Sequence, residues 1–278
     1  MENIINERIK KYQLEKGTNY LNASREVIQE VTLYALSTTD FFNLAAFCGG
    51  TSLRIAYGLS RASEDLDFSS IKPLESFSFE KYFPAISKVF SQLGIEVSLS
   101  EKKTIGSVKS AFIKNDTLVN ELHIDNLNGN LPSIKIKLEI DINPPKGAEY
   151  EYKSSLFPFP HRYLIYTLPS LFAGKLHAIL CRNWEKGRDY YDYLFYLSKE
   201  TNINMPLLEN ALKQTGDYNS DAEFNYHTLE EMLINKFNKT DFEIAKTDCV
   251  RFINNPNELS FWNKELFIDL TADYFKKY

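Results

Sequence analysis

Along residues 133–143, SIKIKLEIDIN, every second position is apolar. Ile134, Ile136, Leu138, Ile140 and Ile142 alternate with Lys135, Lys137, Glu139, Asp141 and Asn143. Successive side chains of a strand point to opposite faces, so this run predicts a strand with one face all core and the other all charge. Pro144-Pro145 ends it. Elsewhere in the first part of the chain the period is mixed. Residues 23–37 carry Val27, Val31, Leu33 and Tyr34 at helical spacing, with Asn22 or Ser24 placed to cap the start. NLAAFCGG reads as a short buried strand that breaks at Gly49-Gly50, TSLRIAYGL as a helix directly behind it, and DLDFSS as a second strand. Residues 78–93 predict a helix stopped by Gly94. Strands are expected at 95–101, 107–114 and 118–125, and a turn at 126–132.

From residue 169 onward the period is helical almost to the end, over 169–182, 187–199, 205–213, 226–238, 241–252 and 259–275. This change of period predicts an α+β domain over residues 1–165 and a C-terminal helical bundle over 166–278. There is no internal repeat.

Composition narrows the classes. The chain has 278 residues, 44% apolar and 25% charged, which suits a packed globular core. The stretch MENIINERIKKYQ has charges throughout and no apolar segment, so no secretory signal is expected. No apolar run approaches the ~20 residues of a membrane span. Cys48, Cys181 and Cys249 are far apart and form no CxxC, which predicts reduced, buried thiols in a cytoplasmic protein. The four histidines read as scattered, without the paired spacing of a zinc site. Charge is uneven: residues 200–278 hold 8 Lys/Arg against 14 Asp/Glu. That acidic end does not suit nucleic acid, so any such binding falls to the first two thirds.

Four clusters could carry chemistry. Gly49 and Gly50 permit positive φ and close approach of backbone to a ligand, and a helix behind them offers free N–H groups for phosphate, with the Thr51 hydroxyl alongside. Asp65 and Asp67 share a strand face. Two carboxylates so close repel unless a cation intervenes, and hard oxygen donors suit Mg²⁺. Glu139 and Asp141 share a face in the same way, and beside the first pair they would form a metal-binding cluster. On the helix near 175, Lys175, Ile179 and Arg182 lie on one stripe. Arg188 and Asp192 are spaced for an ion pair, and the tyrosines around them read as packing.

The blocks GGTSLRIAYGLSRASEDLDF, KIKLEIDINPP and FAGKLHAILCRNWEKGRDYYDYLFY, over roughly residues 45–200, resemble the AbiEii/AbiGii nucleotidyltransferase toxins, within the superfamily of DNA polymerase β. The resemblance implies a polymerase-β-like mixed sheet flanked by helices and followed by the helical bundle. It implies that Gly49, Gly50 and Thr51 hold nucleotide phosphates, and that Asp65 and Asp67 bind two Mg²⁺ ions with Glu139 or Asp141 as third carboxylate. Both Lys135–Glu139 and Lys137–Asp141 fit the family's lysine–acid spacing, and the choice stays open. Lys137, Lys175, Arg188, Asp189 and Asp192 complete the implied nucleotide site, with Lys175 among the catalytic residues. The implied reaction moves NMP from an NTP to an acceptor, RNA and in particular the tRNA 3′ end. The implied setting is a type IV toxin–antitoxin or phage abortive-infection system, with an antitoxin encoded nearby that need not bind the toxin. The alternatives are a nucleotide-binding module without catalysis and a metal-dependent nuclease.

Overall fold

The computed structural model describes residues 2–103, 106–115, 133–219 and 223–278. The chain divides into two compact units. The first comprises Met1–Pro144 with Glu151–Ile165, and the second Pro145–Tyr150 with Tyr166–Tyr278.

The first unit opens with two helices, α1 (Glu2–Lys16) and α2 (Tyr20–Ser37). The sequence reading passed over α1 because its charges mask the spacing of Ile5, Ile9 and Tyr12, which are all buried. The cap of α2 is Asn19, earlier than expected, and its side chain accepts from the Asn22 backbone N–H at 2.9 Å. One turn, α3 (Phe41–Leu44), leads to β1 (Ala45–Cys48), α4 (Gly49–Tyr57) and β2 (Leu66–Ser70). A 3₁₀ turn (Phe79–Tyr82) then enters α5 (Phe83–Gln92), where Pro84 suits the first helical turn. Strands β3 (Ser98–Lys102), β4 (Val108–Asn115), β5 (Ile134–Asp141), β6 (Tyr150–Ser155) and β7 (His161–Tyr166) follow. The expected strand 118–125 and turn 126–132 lie outside the described residues. Strands β6 and β7 were not expected, since neither carries a clean alternation.

These strands form one mixed sheet in the order β3-β4-β5-β2-β1-β7-β6. Strand β2 runs parallel to β5 and antiparallel to β1. The alternation of β5 is obeyed: Ile134, Ile136, Leu138 and Ile140 are buried, while Lys135 is exposed and Lys137, Glu139 and Asp141 are half-buried. Leu66 and Phe68 of β2 and Phe47 of β1 are buried with them. Phe41 packs edge-on against Phe68 with ring centroids 4.8 Å apart, within a cluster that includes Phe42, Phe79 and Tyr82. Helix α2 packs against β5 and α5.

A buried ionic network binds the helices of this unit. Arg8 of α1 clamps Glu30 of α2 through two bonds, Nε–Oε2 at 3.0 Å and Nη2–Oε1 at 2.5 Å. Glu26 of α2 accepts from Lys16 of α1 and, at 3.0 Å, from Nε of Arg54 on α4. Arg54 is 4% exposed and also donates to the carbonyls of Leu59, at 3.1 Å, and Ser60.

The second unit is helical: α6 (Leu168–Cys181), α7 (Gly187–Ser198), α8 (Met205–Thr215), α9 (Tyr226–Lys239), α10 (Phe242–Cys249) and α11 (Lys264–Phe275). The helix expected over 259–275 begins only at Lys264, where the Asn263 side chain accepts from the Leu266 N–H at 2.8 Å. As expected, the tyrosines of α7 are packing residues. Tyr190, Tyr193 and Tyr196 are buried against Phe172, Phe237 and Phe267. Their hydroxyls need partners there, and Tyr193 finds Thr271 at 2.7 Å.

Glu26→Gln would leave Arg54 buried beside a neutral amide. Removing one partner of a buried pair strands the other charge, so the expected loss of stability is about 3 kcal/mol. Urea unfolding followed by circular dichroism measures it. A loss under about 0.5 kcal/mol would place the network among ordinary surface pairs.

Candidate active site

One row of residues crosses the middle of the sheet. In register, Cys48 of β1 pairs with Asp67 of β2, Asp67 with Glu139 of β5, and Glu139 with Ser110 of β4. All stand on the face opposite the apolar core. Backbones of neighbouring strands lie about 4.8 Å apart, so Asp67 and Glu139 are side by side. Asp141 pairs with Ser69, one pleat further along. The Glu139 carboxylate accepts from Lys137 at 2.7 Å and from the Ser110 hydroxyl at 3.1 Å. One Asp141 oxygen accepts from the Asn143 N–H at 2.9 Å. Burial, then the fields of Asp67 and Asp141, push the Cys48 thiol pKa well above its ordinary value, which keeps it protonated. The ionised donors on this face are carboxylate oxygens.

The glycine turn meets this row from below. Gly49 has φ +75°, and a Cβ on it would lie 2.3 Å from Oδ2 of Asp67. Only a bare Cα lets the turn pass under that carboxylate. A Cβ on Gly50 would lie 2.6 Å from Nη2 of Arg61 and 3.2 Å from the Ser63 hydroxyl. The Cys48 side chain makes no cap at the start of α4. Thr51 is fully buried. Its hydroxyl donates to the Asp65 carbonyl and lies 2.8 Å from the Ser63 hydroxyl, so it ties the helix to the segment carrying the acids. Helix α2 holds that segment as well, with Gln29 donating to the Ser63 carbonyl at 3.1 Å and Arg25 3.9 Å from Glu64. The sequence reading passed over Arg61 and Ser63. Their signal was a single arginine and a hydroxyl in the short turn before the paired acids.

In the second unit, Lys175 of α6 meets α7. Its Nζ lies 2.6 Å from Asp189 and 2.8 Å from Asp192, and Arg182 bonds Asp189 as well. Both aspartates are buried. The guanidinium of Arg188 stacks on Phe252 at 4.0 Å and lies 4.0 Å from Asp248.

Two sequence expectations need correction. The three cysteines are free, but only Cys249 is fully buried, while Cys48 and Cys181 are half-buried. The histidines are not all without a paired spacing: His177 and Cys181 stand four apart on α6, which places them on one helix face. Among the described residues, the His/Cys/Asp/Glu trio whose ligand atoms all lie within 4.8 Å of one another is His177, Cys181 and Asp217.

The sequence model of the family described as "Nucleotidyl transferase AbiEii toxin, Type IV TA system" matches residues 31–264. Among solved structures, one of a candidate nucleotidyltransferase from H. pylori is similar, with a TM-score of 0.56 and 19% identity, over 94% of this chain and 97% of that one. That of JHP933 from Helicobacter pylori gives a TM-score of 0.53 and 18% identity, over 92% of each chain. At these identities the two structures establish the fold. No curated protein matches the chain.

Gly49→Ala forces a side chain into positive φ and onto Asp67. The φ penalty alone is roughly 1–2 kcal/mol, and the contact adds to it. In a double-mutant cycle with Asp67→Ala, the pair should cost less than the sum of the singles, because the carboxylate contact is then gone. Strict additivity in thermal melting would refute the close approach. Lys175→Met should destabilise the second unit by about 3 kcal/mol, since it removes a cation shared by two buried carboxylates. Unchanged unfolding by denaturant would refute that pairing.

Proposed function

The chain belongs to the family of AbiEii nucleotidyl transferase toxins of type IV toxin–antitoxin systems, and we propose that it transfers a nucleoside monophosphate from an NTP to an RNA acceptor, the tRNA 3′ end being the leading candidate. The family makes it an enzyme with a nucleotide substrate and implies an antitoxin partner. No helix among the described residues is long and apolar enough to cross a membrane, and a cytoplasmic site of action fits that family.

The observation that carries the reading is the pairing of Asp67 with Glu139 beside the bare turn at Gly49. The backbone N–H groups at the start of α4, which no side chain caps, would take phosphate oxygens, as helix N-termini do. Thr51 acts by anchoring the Asp65 carbonyl. Asp65, Asp67 and Glu139 would hold a divalent cation, and their all-oxygen donor set fits Mg²⁺. When bound, that cation supplies charge neutralisation across the reacting phosphate. We assign the third carboxylate to Glu139. It is the direct neighbour of Asp67, whereas Asp141 pairs with Ser69, one pleat away. Glu139 would also take the proton of the attacking hydroxyl, a role supported by its pairing with Lys137, which steadies the carboxylate. Lys175, Arg188, Asp189 and Asp192 keep their assignment to nucleotide handling on the family resemblance.

The test is transfer itself. Purified protein, total tRNA, Mg²⁺ and each labelled NTP in turn should yield a labelled RNA band on a denaturing gel. RNA shortening without NTP would instead indicate a nuclease. Asp67→Asn and Glu139→Gln should each lower transfer by orders of magnitude, and Asp141→Asn far less. Without metal, Asp67→Asn should melt at or slightly above wild type, because one of several clustered like charges is removed. Full transfer by Asp67→Asn would sink the metal-site reading. Loss with Asp141→Asn but not with Glu139→Gln would reverse the assignment.

A further inference from the structure

The second unit holds a set of side chains that the transfer reaction does not use. His177 and Cys181 lie on one face of α6. Asp217 follows α8, where Gly216, in the left-handed conformation, ends the helix and the Asp217 N–H returns to the Leu212 carbonyl at 2.9 Å. This turn carries the carboxylate back to the two side chains of α6, and the three ligand atoms lie within 4.8 Å of one another. The Thr215 hydroxyl lies 3.2 Å from Nε2 of His177 and 3.9 Å from Sγ of Cys181. Asp217 is exposed and the other two half-buried, so the cluster is open to an ion from solvent. Lys175 is two residues from His177, which is about 200° around the helix, so the cluster and the Lys175–Asp189–Asp192 group occupy different sides of α6.

We propose that His177, Cys181 and Asp217 form a binding site for a borderline transition-metal cation, Zn²⁺ in the first instance, with solvent or the Thr215 hydroxyl in the fourth position. One nitrogen, one sulfur and one oxygen donor make the mixed set that zinc accepts in tetrahedral sites with an open position. This set differs in kind from the face of the first unit, where carboxylates surround the single thiol of Cys48. Without the ion, burial and the neighbouring Asp217 hold the Cys181 thiol protonated, its pKa pushed up to about 12. The bound ion takes the thiolate, and the proton leaves to solvent. Asp217, whose pKa is lowered by its bonds to Thr215 and Cys181, is already ionised.

Co²⁺ serves as the spectroscopic probe. Titrated into the reduced full-length protein, it should give a thiolate-to-cobalt charge-transfer band in the near ultraviolet, with visible bands of tetrahedral strength. The signal should saturate at a single equivalent and be displaced by Zn²⁺. Cys181→Ser should abolish the charge-transfer band. Asp217→Asn, a change at an exposed side chain that leaves the fold intact, should weaken binding by at least the roughly 10–100-fold that even outer-shell partners cost. Cys48→Ser and Cys249→Ser should leave the band unchanged. No band in the wild type, or affinity unmoved by Asp217→Asn, would overturn the proposal. So would a band that survives Cys181→Ser and disappears in Cys48→Ser, which would place the ion at the carboxylate face.

Discussion

The ion pair between Glu26 and Arg54 is the node of the first unit. A guanidinium at 4% exposure is stable only with its charge matched and its donors satisfied. Glu26 matches the charge, and the carbonyls of Leu59 and Ser60 take the remaining hydrogen bonds. Through that one side chain α2 holds α4 and the start of the turn behind it. Lys16 brings α1 to the same carboxylate. The turn from Gly58 to Asp65 is thus fixed at its beginning by Arg54, at Ser63 by Gln29, and at its end by Thr51. A segment held at three points delivers Asp65 and Asp67 in a set position.

The sheet then decides what those acids face. Parity along β1, β2 and β5 sends Phe47, Phe68 and the isoleucines of β5 into one core, so Cys48, Asp67 and Glu139 must share the other face. A slip of one residue in β5 would exchange the two sets and bury four charges. The burial that stabilises the unit therefore also positions the carboxylates. Gly49 adds a second constraint, since the turn under Asp67 has no room for a Cβ.

The second unit solves its packing with aromatic rings. Tyr190, Tyr193 and Tyr196 fill its centre, and two of their phenols lie within hydrogen-bond reach of threonine hydroxyls. Within such a core, Asp189 and Asp192 require the cations of Lys175 and Arg182. The same residues thus hold α6 to α7 whatever else they do, and a loss of activity in their variants has to be separated from a loss of fold.

Sequence alone determined the elements whose period is local. The alternation of β5, the glycine turn with its helix, the paired acids on the next strand and most helices of the second unit were legible, because each rests on spacing within a few residues. The family resemblance rested on the order of those same blocks. What depends on contacts far along the chain was decided only by the tertiary structure. The charges of α1 hid its apolar stripe until Arg8 and Lys16 met Glu30 and Glu26. The Thr51 hydroxyl could face solvent or the interior, and the carbonyl of Asp65 drew it inward. Glu139 and Asp141 are equivalent in the alternation, and the register of β5 on β2 separates them by placing one beside Asp67. The sequence reading missed that His177 and Cys181 stand four apart on a helix, and Asp217 joins them only because Gly216 turns the chain back at the end of α8. Periodicity is a property of neighbours in sequence, whereas pairing partners are set by the packing of elements that sequence order keeps apart.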